Sequence, residues 1–496
     1  MRIPAFTLLC AALLTLPAAE AQTKLLRFPD VHGDTVVFVY GGDLWTAPVK
    51  GGTAVRLTAH PGQELFPRFS PDGKWIAFTG QYDGDEQVYV VPATGGAPKQ
   101  LTFYPARGPL PARWGYDNQV YDWTPDGTAV LFRSLRDGVS TGDSRLYTVA
   151  VAGGLPKALP MPTAGAGDFS PDGKKLFYSP LFRDFRTWKR YEGGWAQDLY
   201  IFDLATNALT AVDPTKRTER DPMWIGDKLY YASDRTGTLN LYEFDPGSKR
   251  TRALTKSAQW DVRWPARGDR GRIIYEINGE LEILDVRNGK TEAVRVMVPT
   301  DGLNTRPSLL NVSGQISSFD LSPKGERALF VSRGEIFTAP VEKGVPRNLT
   351  RSAGAHDKAP DWSPDGRWIA YLSDVSGEEE LYIVPQDGSG PAVQLTQDGK
   401  EMRYRPLWSP DSKKIAFSDK EGRLFVVTVA DKSKKLVADE KRAQLLDYTW
   451  APDSKHLAFS MSGETPVESI HIWSEADGRV RRVTDPMFQA NNPAWD

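Results

Sequence analysis

Few residues in this chain are of a type and spacing that could do chemistry. The five histidines, His32, His60, His356, His456 and His471, are scattered over 496 residues with no ligand-like spacing. A zinc centre needs several such groups converging on one point, so packing or surface roles describe them better. Gly138–Gly142 spells G-x-S-x-G. A nucleophilic serine in that pattern needs a sharp strand-to-helix turn, whereas the flanking residues alternate as strands, so this reads as a loop. Asp83–Glu86 (DGDE) lacks the later carboxylate that a calcium loop requires. Cys10 is the only cysteine and lies in the N-terminal apolar segment. The chain that follows therefore has no thiol for disulfides, nucleophilic catalysis or metal binding. No catalytic residue, metal or cofactor is expected.

One constellation rises above this background. The stretch Pro180–Asp198 mixes Arg183, Arg186, Lys189 and Arg190 with Phe182, Phe185, Trp188, Tyr191 and Trp195. Guanidinium and ammonium groups beside aromatic rings can hold peptide chains by carboxylates and apolar side chains. Arg183, Arg186, Trp188, Lys189, Arg190 and Tyr191 are the candidate contacts for a peptide or a partner. The same mixture is equally typical of a face packed on another domain or subunit. Two more long stretches, from Phe103 and from Leu135, are expected on the same face, where a repeat protein often carries its binding side.

The elements that must position these loops repeat. The turn S-P-D-G at Ser70 returns as TPDG at Thr124, SPDG at Ser170, SPKG at Ser322 and SPDG at Ser363. It returns again as SPDS at Ser409 and APDS at Ala451, with degenerate forms near Trp224 and Trp264. Proline presets the second turn position, aspartate bonds nearby backbone and glycine closes the turn. The spacing, about 40 to 54 residues, is that of propeller blades. Each unit reads as four short strands, as in Lys74–Gly80 (KWIAFTG), Gln87–Ala93 (QVYVVPA) and Lys99–Thr102 (KQLT), and helical periodicity is nearly absent. The class is all-β.

Such sheets bury their faces by stacking radially. The residue before each turn is Phe69, Trp123, Phe169, Trp224, Trp264, Leu321, Trp362, Trp408, Trp450 and Trp495. Packing between blades accounts for these large side chains better than a ligand cage does. Six units run from Leu25 to near Val296, enough for one closed ring. Residues 297–313 read as a Pro- and Gly-broken linker. A second series holds four complete units, and Asn491–Asp496 (NNPAWD) matches the opening strand of a fifth. The expected architecture is a six-bladed propeller over 24–296 and a partial second propeller over 314–496, whose exposed flank implies that the native product continues.

Composition narrows the partners. A net charge of −2 with 25% charged residues suits a soluble globular protein and gives no basic surface for nucleic acid. Residues 1–21 carry Arg2, an apolar run and an A-x-A site, the pattern of a secretory signal, and no stretch suits a membrane anchor. Export to the periplasm is the expected destination.

Residues 28–58 (FPDVHGDTVVFVYGGDLWTAPVKGGTAVRLT), 188–204 (WKRYEGGWAQDLYIFDL) and 311–374 together resemble the N-terminal half of tricorn proteases. The resemblance implies a six-bladed propeller, a seven-bladed propeller, then PDZ and serine peptidase regions beyond position 496. It implies non-catalytic propellers that pass peptides to and from a buried site, partners in the catalytic and PDZ regions, and a homo-oligomer when intact. Family archetypes are cytosolic, which makes the cytoplasm the alternative location. The archetype's adjacent arginines have no counterpart in the first series, since the only Arg-Arg pair is Arg481-Arg482. A stand-alone TolB-like periplasmic scaffold is the alternative reading.

Overall fold

The computed structural model describes residues 22–104, 115–138, 142–182, 185, 188–300, 308–463 and 465–496. The proposed signal, Val139–Thr141, Arg183, Arg186 and residues 301–307 of the linker fall outside them. The chain divides into two compact units, Met1–Thr305 and Arg306–Asp496.

Among the described residues the first unit holds six four-stranded antiparallel sheets, with strands in chain order. The first strands of these sheets are Arg27–His32, Glu64–Phe69, Gln119–Trp123, Ala166–Phe169, Glu219–Ile225 and Arg263–Arg267. Each packs against the first strand of a neighbouring sheet, and Arg27–His32 packs against Arg263–Arg267, so these strands surround a common axis. A core of Val36, Phe38, Ala266, Ile274 and Val294 seals the first sheet to the sixth. Val296–Met297 then pairs in parallel with Gly52–Thr53, and Thr23 donates its N–H to Val296 O (3.0 Å). The ring is thus clasped by segments from both ends of the unit, which hide edges that would otherwise be open. Among the described residues the second unit holds four such sheets, starting with Ile316–Leu321, Asp357–Trp362, Arg403–Trp408 and Tyr448–Trp450.

The repeated turn works as its residues dictate. Ser70 Oγ donates to Asp72 Oδ1 (2.7 Å) and accepts Trp75 N–H (3.0 Å), while Asp72 Oδ1 accepts Lys74 N–H (3.1 Å). Gly73 takes φ +70°, and a Cβ there would lie 2.3 Å from the His32 ring. Where serine replaces this glycine, Ser412 and Ser454 still adopt φ 57° and 59°. Their hydroxyls accept the N–H of Asp365 and Asp411 in the preceding turn (3.0 Å each), which offsets the left-handed strain. The threonine that closes several of the repeats is also structural: Thr58, Thr102 and Thr396 each accept a third-strand N–H through Oγ1 at 2.9 Å.

Most residues before the turn lie between sheets, as expected. Trp123, Trp408 and Trp450 donate their indole N–H to the first strand of the preceding sheet, at Arg68 O (2.9 Å), Asp361 O (3.2 Å) and Leu407 O (3.1 Å). Trp495 makes the same bond to Thr449 O (3.3 Å). Two residues depart. Leu321 is 58% exposed because no preceding sheet covers Ile316–Leu321 among the described residues. Trp264 is not the residue before the turn: a β-bulge places it three positions earlier, at φ 50°, and Arg267 takes the place assigned to the aromatic.

Candidate functional site: the axis and loop face of the first unit

The bulge that shifts Trp264 recurs. Phe28, Phe66, Asp221 and Trp264 all have φ between 50° and 55°, each at a register break in a first strand. The extra residue turns the strand so that its side chain points along the ring axis rather than between sheets. Phe28, Phe66 and Trp264 converge there, with ring centroids 4.3 to 5.8 Å apart.

Close to the level of the bulges, the first strands bring charges to the same axis: Asp30, Arg68, Asp122 and Asp168 from the first four sheets, with Arg267 from the sixth. Arg267 donates from Nε to Asp168 Oδ2 (2.7 Å) and reaches Asp122 Oδ2 with NH2 (2.8 Å). The guanidinium therefore crosses from the sixth sheet to the third and fourth. Arg68 donates to Tyr121 O (2.9 Å) and to Pro67 O (2.8 Å). Asp30 accepts Val31 N–H (2.8 Å) and Phe69 N–H (2.6 Å), and Asp168 Oδ2 also accepts Trp224 N–H (2.7 Å).

Burial sets the electrostatics. Asp30 is 3% exposed, and desolvation pushes its carboxyl up to about 7 against the opposing pull of Arg68 and two backbone N–H groups. Burial likewise raises Asp168 despite its bond to Arg267. Burial presses against the Arg267 charge, but Asp122 and Asp168 more than offset it and hold the guanidinium above its ordinary range. Asp168 Oδ1 has no partner among the described residues. Around this network lies a cavity of about 40 Å³, lined by Arg68, Asp122, Asp168, Met223 and Arg267. On the side of the turns it gives way to a recess of about 320 Å³ walled by Pro71, Pro125, Pro171, Phe169 and Trp224, in which Arg267 again appears.

The loop from Pro180 lies partly against the sheets. Phe182 is buried under Arg133, whose guanidinium carbon lies 4.1 Å from the ring centroid. Phe185 turns onto the axial aromatics, 5.1 Å from Trp264 and 5.6 Å from Tyr116. Trp188 and Tyr191 stand together at 5.0 Å. Arg190 donates Nε–H to Gly237 O (2.8 Å) and accepts from Arg217 at its own carbonyl, so its backbone and side chain are held by the next sheet. Lys189 and Trp195 are exposed, the latter by 46%. Arg183 and Arg186 lie outside the described residues. The three long loops do meet: Phe185 packs on Tyr116, and Arg136 lies over Tyr104. Among the described residues no three His, Cys, Asp or Glu side chains are grouped to hold a metal ion, and no helix is long and apolar enough to cross a membrane.

The axial network escaped the sequence reading, although a signal existed. Aligning Phe28-Pro29-Asp30, Phe66-Pro67-Arg68, Val120-Tyr121-Asp122 and Gly167-Asp168 places four charges at one repeat position.

Comparison with known proteins fits this architecture. The family pattern of the tricorn protease N-terminal beta propeller domain matches residues 23–290, and that of the tricorn protease second beta propeller domain matches 316–496. The chain belongs to the tricorn protease propeller family. It is 28% identical over 491 residues to tricorn protease homolog 1 of Streptomyces coelicolor, covering 97% of this chain and 44% of that protein. With the tricorn protease homolog of Saccharolobus solfataricus it shares 24% identity over 475 residues, covering 95% and 42%. The chain thus spans less than half the length of these tricorn relatives. A crystal structure of the tricorn protease aligns with a TM-score of 0.51 at 20% identity, over 93% of this chain and 44% of that one, a likeness of fold alone.

Proposed function

We propose that this chain is the non-catalytic double-propeller portion of a tricorn-type serine peptidase, binding peptides and gating their passage to a catalytic domain that the chain does not contain. The observation that carries this reading is the ordered match of both tricorn propeller domains in a chain spanning 44% of such a relative. The six sheets support a six-bladed first ring. The Trp495 bond to Thr449 O, repeating those of Trp408 and Trp450, supports reading Asn491–Asp496 as the first strand of a further blade of the second. Residues 1–21 would direct export to the periplasm, and the PDZ and catalytic regions and further copies of the chain would be its partners. Trp188, Lys189, Arg190 and Tyr191, with Arg183 and Arg186, remain the proposed contact face for peptide or partner.

A second reading, a protein-binding scaffold of TolB type, is favoured by one observation: the axis of the first unit is filled by charged and aromatic side chains. Photo-crosslinking separates the two. Short unstructured peptides carrying a photoreactive residue should label the first unit saturably, and Trp188→Ala with Tyr191→Ala should weaken that labelling. Labelling only by folded proteins, with peptides inert, would favour the scaffold.

A further inference from the structure

The first ring has a hole only in outline. From the turn side, the proline-walled recess of about 320 Å³ narrows at Arg267 to a cavity of about 40 Å³. A water molecule needs about 10–15 Å³ of such free volume, so the inner space holds a few waters and no polypeptide. Beyond it stand Phe28, Phe66 and Trp264, with Phe185 packed onto Trp264. Arg267 lines both the recess and the inner cavity and is 28% exposed at the boundary between them. It spans the axis on two carboxylates from the facing sheets, Asp122 (2.8 Å) and Asp168 (2.7 Å).

We propose that Arg267 is a latch: it bridges the axis of the first ring and shuts the inner cavity off from the recess on the turn side until the guanidinium leaves Asp122 and Asp168. The inference rests on the passage reading above only in supposing that something should cross. The latch itself rests on its geometry. Arg267 stands where other repeats carry an aromatic that packs between sheets, as Trp408 and Trp450 do. A guanidinium there forgoes that apolar packing and gains a fixed, bidentate grip on opposing carboxylates. Its release needs no backbone change, since the partners lie on other sheets and only side-chain torsions need turn. The small cavity beside Asp168, whose Oδ1 has no partner among the described residues, leaves room for that rearrangement.

The test uses the full chain with Cys10→Ser, which leaves it free of cysteine. Met223→Cys then places a lone thiol in the inner cavity behind the latch, and Leu155→Cys, at a site 90% exposed, serves as the open control. A small methanethiosulfonate reagent should modify Met223→Cys about 100-fold more slowly than Leu155→Cys, because access waits on local opening. Adding Arg267→Ala should raise the Met223→Cys rate by about 10-fold or more and leave the control unchanged. Arg267→Met keeps the bulk of the stem should the alanine variant fold poorly, and thermal unfolding confirms that each variant is native. Equal Met223→Cys rates with and without Arg267 in folded proteins would overturn the latch. A second arm carries the same reactive group on a short peptide. If the small reagent enters the unlatched ring and the peptide does not, the latch stands and the passage reading fails for this unit.

Discussion

Asp30 should make the stability of the first unit fall as pH rises through the range where most carboxylates are already ionised. Its carboxyl is buried on the axis, and desolvation moves it from an ordinary 3.8 to about 7. The unfolded chain loses this proton near the ordinary value, whereas the folded chain keeps it to about 7. Its contribution is therefore fully present below the unfolded value and is lost as pH climbs through the folded one. A displacement of about 3 units corresponds to about 4 kcal/mol across that window, or up to about 1.4 kcal/mol per pH unit. The assay is urea unfolding of the first unit's own transition at several pH values, for the native chain and for Asp30→Asn. Asn is neutral throughout, so whatever it costs in lost acceptance from Val31 and Phe69 is constant with pH and drops out of the slope. The native chain should lose about 4 kcal/mol more than the variant between the two limits. Parallel stability curves would refute the premise that burial keeps this carboxyl protonated.

The turns and sheet contacts give further expectations. Ser412→Gly should be near neutral, because glycine accepts the left-handed angle at no steric cost, while Ser412→Ala should lose about 1–2 kcal/mol by keeping the strain and dropping the bond to Asp365; thermal unfolding reads the difference. Trp408→Phe should cost about 1–3 kcal/mol by leaving Asp361 O without its indole donor and opening space between sheets, measured by urea unfolding of the second unit. Thr396→Val should be costlier than a surface threonine change, by about 2 kcal/mol or more, since Thr396 Oγ1 joins Leu381 N–H, Glu380 and Arg403 at one buried point. Hydrogen exchange at the Leu381 amide would report that loss locally.

Much of this fold was legible because its signals are local. The S-P-D-G turn, the alternation of Trp75–Gly80 and the terminal Leu-Thr pair each act within a few residues, and each sits where the repeat predicted. What stayed hidden depends on a one-residue insertion in the first strands. Reading Trp264 as the residue before the turn was natural beside Trp224 and Trp362, but the bulge moves it onto the axis and puts Arg267 in its place. The bulge carries no residue signature, since Phe28, Asp221, Ala359 and Arg405 occupy it elsewhere. The inner contacts of the loop from Pro180 stayed hidden for another reason. Its aromatic and basic residues looked like an open contact face, yet Phe182 and Phe185 are drawn inward by Arg133 and Trp264, partners distant in sequence that no local pattern announces. The charge pairs on the axis likewise join residues 99 and 145 positions apart.

The claim that this chain binds peptides without cleaving them meets its most direct test in one sample of the purified chain. Fluorescent short peptides are titrated to saturation, and a serine-directed fluorophosphonate is then added and followed by mass spectrometry. The account predicts saturable binding, intact peptides and no stoichiometric adduct on any serine. Peptide cleavage together with a single labelled serine would contradict it.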